Sequence, residues 1–139
     1  MDRGAAVKRL YEAINTRDMG IFDDVIADDF VEHEELPGLE PSKDGVRAFF
    51  ESLLAAFPDL RMEPVDVLEC GEKVVARVRV TGTNQGEFLG GPATGKAIDV
   101  QLIDIIRVGD DGLAREHWGV MDQLTMLQQL GLAPEGPPG

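Results

Sequence analysis

Near Leu60 the hydrophobic period of this chain switches from that of a helix to that of a strand, and it does not switch back until about Asp122. Before the switch, Val7, Leu10, Tyr11 and Ile14 recur with i, i+3, i+4, i+7 spacing behind Asp2, a good helix cap. Asp18 caps a shorter helix whose stripe is Phe22, Val25 and Ile26, and Phe30 and Val31 then lead into an extended segment. After a loop broken by Pro37, Gly38 and Pro41, Ser42 opens a third helix with Val46, Phe49, Phe50, Leu53, Leu54 and Phe57 on one face. Beyond Leu60, segments near 60–69, 73–83, 96–108 and 113–121 alternate with period two and read as strands. Cys70-Gly71-Glu72 and Gly109-Asp110-Asp111-Gly112 are their clearest turns, so the pairing is largely antiparallel. A short helix from about Asp122 to Leu130 ends the pattern. Helices first and strands afterwards predict an α+β domain with helices on one face of a curved sheet. One domain is expected over 1–132, with a flexible, Pro- and Gly-rich tail over 133–139.

Composition narrows the function classes. The chain has 26 acidic residues against 13 Lys and Arg, a net charge of −13, and no basic cluster that would serve nucleic acid or an anionic membrane. One cysteine, Cys70, cannot form an internal disulfide. No apolar run approaches the roughly 20 residues of a membrane span, and no basic start precedes an apolar stretch, so a cytoplasmic protein is expected.

Within 98–108 the alternate positions read Ile98, Val100, Leu102, Asp104, Ile106, Val108. Successive strand side chains point to opposite faces, so Asp104 interrupts a wholly apolar row. A carboxylate there is costly unless it is paired or protonated, which makes it a candidate acid or base. A two-residue Asp110-Asp111 turn would pair Val108 with Leu113, Ile106 with Arg115 and Asp104 with His117. A three-residue turn with a bulge would instead set Asp104 opposite Trp118, with Glu116, Trp118 and Val120 on its face. The first register is favoured and gives an Asp104–His117 dyad, a carboxylate orienting an imidazole. The bland alternative is that Asp104 ties down an arginine, Arg115 being the nearest choice. His33, after the aromatic end of the second helix, is placed at a pocket mouth or, equally, on a solvated loop.

Other chemistries fit poorly. His33 and His117 are the only histidines, and neither HExxH nor paired cysteines are present, so no metal site is expected. Ser42 and Ser52 are the only serines, and Ser42 is better used as a cap than as a nucleophile. Gly90-Gly91-Pro92-Ala93-Thr94-Gly95-Lys96-Ala97 imitates a phosphate loop, but a strand follows it and Ala97 replaces the magnesium-holding hydroxyl.

Several segments together resemble SnoaL-like polyketide cyclases, within the nuclear transport factor 2-like, ketosteroid isomerase-like superfamily. They are Phe30-Val31-Glu32-His33, the 82–90 stretch with Pro92, Thr94 and Gly95, the strand end Ile105-Ile106-Arg107-Val108, Glu116-His117-Trp118 with Asp122, and Gln129-Leu130-Gly131. The resemblance covers nearly the whole chain. It implies a cone-shaped α+β barrel around a deep apolar pocket, usually in a homodimer, working without cofactor by removing a proton beside a carbonyl and stabilising the enolate. Counted back from Arg107, Asp104 falls where such cyclases carry a pocket histidine and ketosteroid isomerases a protonated aspartic acid. Cyclases of this type place their essential aspartate three residues before the match to Asp122, where this chain has Gly119, and Asn84 stands where many relatives have histidine.

The reading that follows is an acid–base enzyme acting on a small apolar carbonyl substrate, with Asp104, His117 and His33 as the catalytic candidates. Phe30, Leu102, Ile106, Trp118 and Asp122 are the candidate pocket lining, although Asp122 can equally be a helix cap and Trp118 core or interface. Competing readings are a non-enzymatic ligand-binding or dimerising module, and an isomerase, dehydratase or epoxide hydrolase.

Overall fold

Four side chains start the four helices. In the computed structural model, which describes residues 2–36 and 38–134, Asp2, Asp18, Ser42 and Asp122 each accept a hydrogen bond from a backbone N–H of the first helical turn. These open α1 (Arg3–Thr16), α2 (Met19–Val25), α3 (Lys43–Ala56) and α4 (Gln123–Gln129). The strands are β1 (Ile26–Glu32), β2 (Arg61–Cys70), β3 (Lys73–Thr83), β4 (Ala97–Val108) and β5 (Ala114–Met121). Ile26, expected on the stripe of α2, is instead the first residue of β1. Residues 135–139 of the expected tail, and the loop-breaking Pro37, lie outside the described residues.

The strands form one sheet in the order β1-β5-β4-β3-β2. Three pairings are antiparallel, while β1 runs parallel to β5. The sheet is open, with β1 and β2 at its edges, so it is not a closed barrel; α1 covers β2, β3 and β4, and α3 lies against β1. Pro64 is tolerated because β2 is an edge strand whose pairing is irregular between Pro64 and Asp66. The inner face carries Val74, Ala76, Val78 and Val80 of β3 beside Ile106, Asp104, Leu102 and Val100 of β4. These residues are all buried, with Tyr11, Ile14, Phe22 and Phe57 among those packed over them from the helices.

The β4–β5 hairpin departs from both expected registers. Asp104 stands opposite Gly119, and His117 opposite Ile106. The turn is closed by Gly109 N–H donating to the Leu113 carbonyl at 2.9 Å. Pairing then shifts between Arg107 and Val108, which face Glu116 and Ala114 and leave Arg115 as an extra residue. The net slip relative to the expected Asp104–His117 pairing is even. Because strand side chains alternate, His117 stays on the face of Asp104 and Trp118 goes to the other.

Candidate active site

Asp104 lies between the two smallest side chains in its row, with Ala76 beside it on β3 and Gly119 on β5. That leaves room over the sheet for two larger groups to reach its carboxylate. Tyr11, projecting from the buried face of α1, donates its hydroxyl to Asp104 Oδ2 at 2.5 Å. His117 Nε2 meets Asp104 Oδ1, also at 2.5 Å. The other ring nitrogen, Nδ1, lies 2.5 Å from Glu32 Oε1. Glu32 is in place because the parallel β1–β5 ladder sets it directly beside His117. Asp104 is 7% exposed and Glu32 6%. Two buried carboxylates therefore hold one imidazole between them, with a tyrosine hydroxyl on the far oxygen.

The arrangement fixes where the protons are. Burial alone would push the His117 pKa down, but its hydrogen bonds to Asp104 and Glu32, together with their charges, outweigh burial and raise it from 6.5 to about 10. His117 is thus an imidazolium at neutral pH, with both N–H groups donating. Burial, and then the neighbouring Asp104 charge, push the Tyr11 phenol well above its ordinary range, so it remains a neutral donor. The result is a buried, hydrogen-bonded ion network of the kind that makes internal charge tolerable.

This network forms one wall of a cavity of about 300 Å³. Phe30, Leu102 and Ile106 line it, with Leu10, Ile14, Phe22, Phe50, Met62 and Met126 among the other apolar walls and Glu34 and Glu35 beside Leu36 on the same lining. An apolar chamber with a few convergent polar groups suits a small organic ligand.

Three expected site residues lie elsewhere. His33 does not reach the cavity; it borders a separate depression along 32–41, stacks on Trp118 with ring centroids 4.7 Å apart, and sets Nε2 3.4 Å from Glu116. Its position follows from strand phase, since Phe30 and Glu32 point inward and Val31 and His33 outward. Trp118 is on the outer face for the same reason, with Lys73 Nζ 4.8 Å from its ring. Asp122 is an exposed cap that accepts from Thr125, and its neighbour Gln123 lines the cavity instead. Arg115, the alternative partner for Asp104, pairs with Asp29 and Asp111. Asn84 is a buried strut between loops, donating to the Gly86 carbonyl and accepting from Thr94 N–H, both at 2.8 Å.

Tyr11, Glu32 and Glu34 were not singled out by sequence. Tyr11 sits in an apolar helical stripe and reads as core. Glu32 and Glu34 continue the inward phase of Phe30, a signal hidden in a run of acids. Among the described residues, donor atoms of Glu32, Glu34 and His117 lie within 4.8 Å of one another, the spacing of a cation site. Both ring nitrogens of His117 already face carboxylates, Nδ1 toward Glu32 and Nε2 toward Asp104, which leaves neither directed at an ion.

The comparisons with known proteins agree with this architecture. The family model for SnoaL-like polyketide cyclase matches residues 5–130. The chain is 34% identical to the aklanonic acid methyl ester cyclase DauD of Streptomyces sp. (strain C5), with 94% of this chain and 84% of that protein aligned. Identity is 33% with the aklanonic acid methyl ester cyclase DnrD of Streptomyces peucetius, over 94% of this chain and 93% of the relative. Among solved structures, wild-type IdmH of Streptomyces antibioticus superposes with a TM-score of 0.83 at 32% identity, covering 94% of this chain and 99% of its own. TsrD of Streptomyces laurentii gives 0.85 at 31% identity, with 96% and 99% coverage. With the family model matched over most of its length and relatives above 30% identity across nearly all of it, this chain belongs to the SnoaL-like polyketide cyclase family.

Proposed function

We propose that this protein is a cofactor-independent acid–base enzyme that closes a ring in a small, largely apolar polyketide ester. It does so by removing a proton beside a carbonyl and stabilising the enolate. The observation that carries this reading is the Asp104–His117–Glu32 network set into the wall of an apolar cavity. The ester comes from the two cyclases named for aklanonic acid methyl ester, which match nearly the whole chain.

In this scheme Asp104 is the base. Its carboxylate has about four lone-pair directions, of which Tyr11 and His117 occupy two. When it takes the substrate proton, the negative charge moves from the carboxylate to the enolate oxygen. His117, still positive, then has the enolate as its counterion in place of Asp104. The cation is fixed before reaction, in surroundings of low dielectric where such an interaction is strongest. Glu32 orients the ring. The enolate carbon then attacks a second carbonyl of the same chain, so the product is an isomer of the substrate. A homodimer, as the family resemblance implies, completes the proposal.

The test is incubation of the purified protein with an aromatic polyketide methyl ester that carries an unclosed dicarbonyl arm. The expected result is a cyclic product of unchanged mass, with solvent deuterium entering the carbon beside the ester carbonyl. Saturable binding with neither product nor exchange would overturn the proposal in favour of a ligand-binding module.

A further inference from the structure

We propose that Glu34 is the proton donor of the ring closure, the group that protonates the acceptor carbonyl oxygen as the new carbon–carbon bond forms. This deepens the reading of the same cavity given above and rests on it.

The geometry comes first. Glu34 follows Phe30 and Glu32 in phase, and all three line the cavity. Its carboxylate hangs over Gly119: a methyl group built on that glycine would meet Glu34 Oε2 at 2.9 Å and the His117 ring at 2.7 and 2.8 Å. Glu34 and the imidazole therefore share the space that a side chain at 119 would fill. The other protons of the network are committed. Both nitrogens of His117 are bound to carboxylates, both oxygens of Asp104 accept a hydrogen bond, and the Tyr11 hydroxyl points at Asp104. Glu34 is different, because among the described residues its side chain has no hydrogen-bond partner while facing the same chamber. It is half-buried, so water can recharge it.

Its surroundings favour the protonated form. Burial raises the Glu34 pKa above the ordinary carboxyl value, and the Asp104 and Glu32 carboxylates add to that against the opposing charge of His117. The titratable groups around it are Glu32 from β1, Asp104 from β4 and His117 from β5, with Tyr11 of α1 behind Asp104 and exposed Glu35 next in the chain. The two carboxyl groups thus differ in role by position: both oxygens of Asp104 already accept hydrogen bonds, whereas Glu34, without a partner, is shifted by burial toward the protonated, donating form.

The proton count closes. Asp104 takes the proton from the carbon, and the enolate carbon bonds to the acceptor carbonyl carbon. The carbonyl π pair moves to its oxygen, which takes the proton of Glu34. After product leaves, Asp104 releases one proton to water and Glu34 recovers one from water. No other reagent is needed.

The experiment compares wild type, Glu34→Gln and Glu34→Asp on the same aromatic polyketide methyl ester, following deuterium exchange and ring closure separately. In Glu34→Gln, closure is expected to fall by about 10²-fold or more in kcat, KM to change little, and exchange, which needs only Asp104 and His117, to persist. The fall of kcat/KM set by loss of the Glu34 proton should vanish, leaving the alkaline fall set by His117. Glu34→Asp keeps the carboxyl at shorter reach and should recover part of the closure rate. Closure at the wild-type rate in Glu34→Gln, or equal loss of exchange and closure, overturns the role of Glu34 and leaves the cyclase reading standing. Absence of both exchange and closure in wild type overturns the cyclase reading, and this inference with it.

Discussion

Gly119 stands directly across the β4–β5 ladder from Asp104, and the His117 imidazole occupies the space its missing side chain leaves. The glycine is there for room, since its backbone is not in the left-handed region. Gly119→Ala should push the imidazole away from Asp104. Overpacking of this kind costs about 1–3 kcal/mol, and a misplacement of about 1 Å can cost on the order of 10²-fold in rate. Denaturant unfolding and turnover measured together check both, and a variant equal to wild type in each would show that the imidazole has slack.

His117 ties stability to alkaline pH. Its pKa is raised on folding from 6.5 to about 10, so its contribution is complete below about pH 6.5 and is lost as pH rises through about 10. The expected loss across that window is on the order of a few kcal/mol. Urea unfolding at a series of pH values reads the slope directly, and Asp104→Asn should flatten it.

Asn84 should prove structural. It is 1% exposed, and its amide braces the β3–β4 connection at Gly86 and Thr94. Asn84→Ala strands partly buried backbone groups, for which about 1 kcal/mol or more is expected. The pH dependence of turnover should be unchanged, which separates this residue from the network of His117.

His33→Ala should leave kcat and its pH profile within about twofold of wild type, in keeping with surface substitutions away from special features. The ring faces Trp118 and Glu116 on the outer surface. A large loss of kcat would mean that this surface communicates with the cavity.

What could be read in the sequence was whatever local chemistry or strand phase determines. Asp2, Asp18, Ser42 and Asp122 mark helix starts because a cap is satisfied within one turn. Asp104 was conspicuous because one carboxylate in a buried alternate row needs a reason. The β4–β5 register was not legible, since nothing local to the turn announces the extra residue at Arg115, whose side chain pairs with Asp29 of β1 as well as with Asp111. His117 nevertheless reached Asp104, because an even slip keeps its face. Glu32 depended on a parallel pairing between β1 and β5, far apart in sequence, which no local pattern announces. His33 drew attention as the rarer residue type, although strand phase turns it outward and its acidic neighbours inward.

The most direct test of the account is the exchange of substrate α-protons for solvent deuterium by wild type and Asp104→Asn, with circular dichroism confirming the fold of each. The account predicts exchange by wild type and a loss of about 10²- to 10⁴-fold in the folded variant. Exchange at the wild-type rate by a correctly folded Asp104→Asn protein would contradict it.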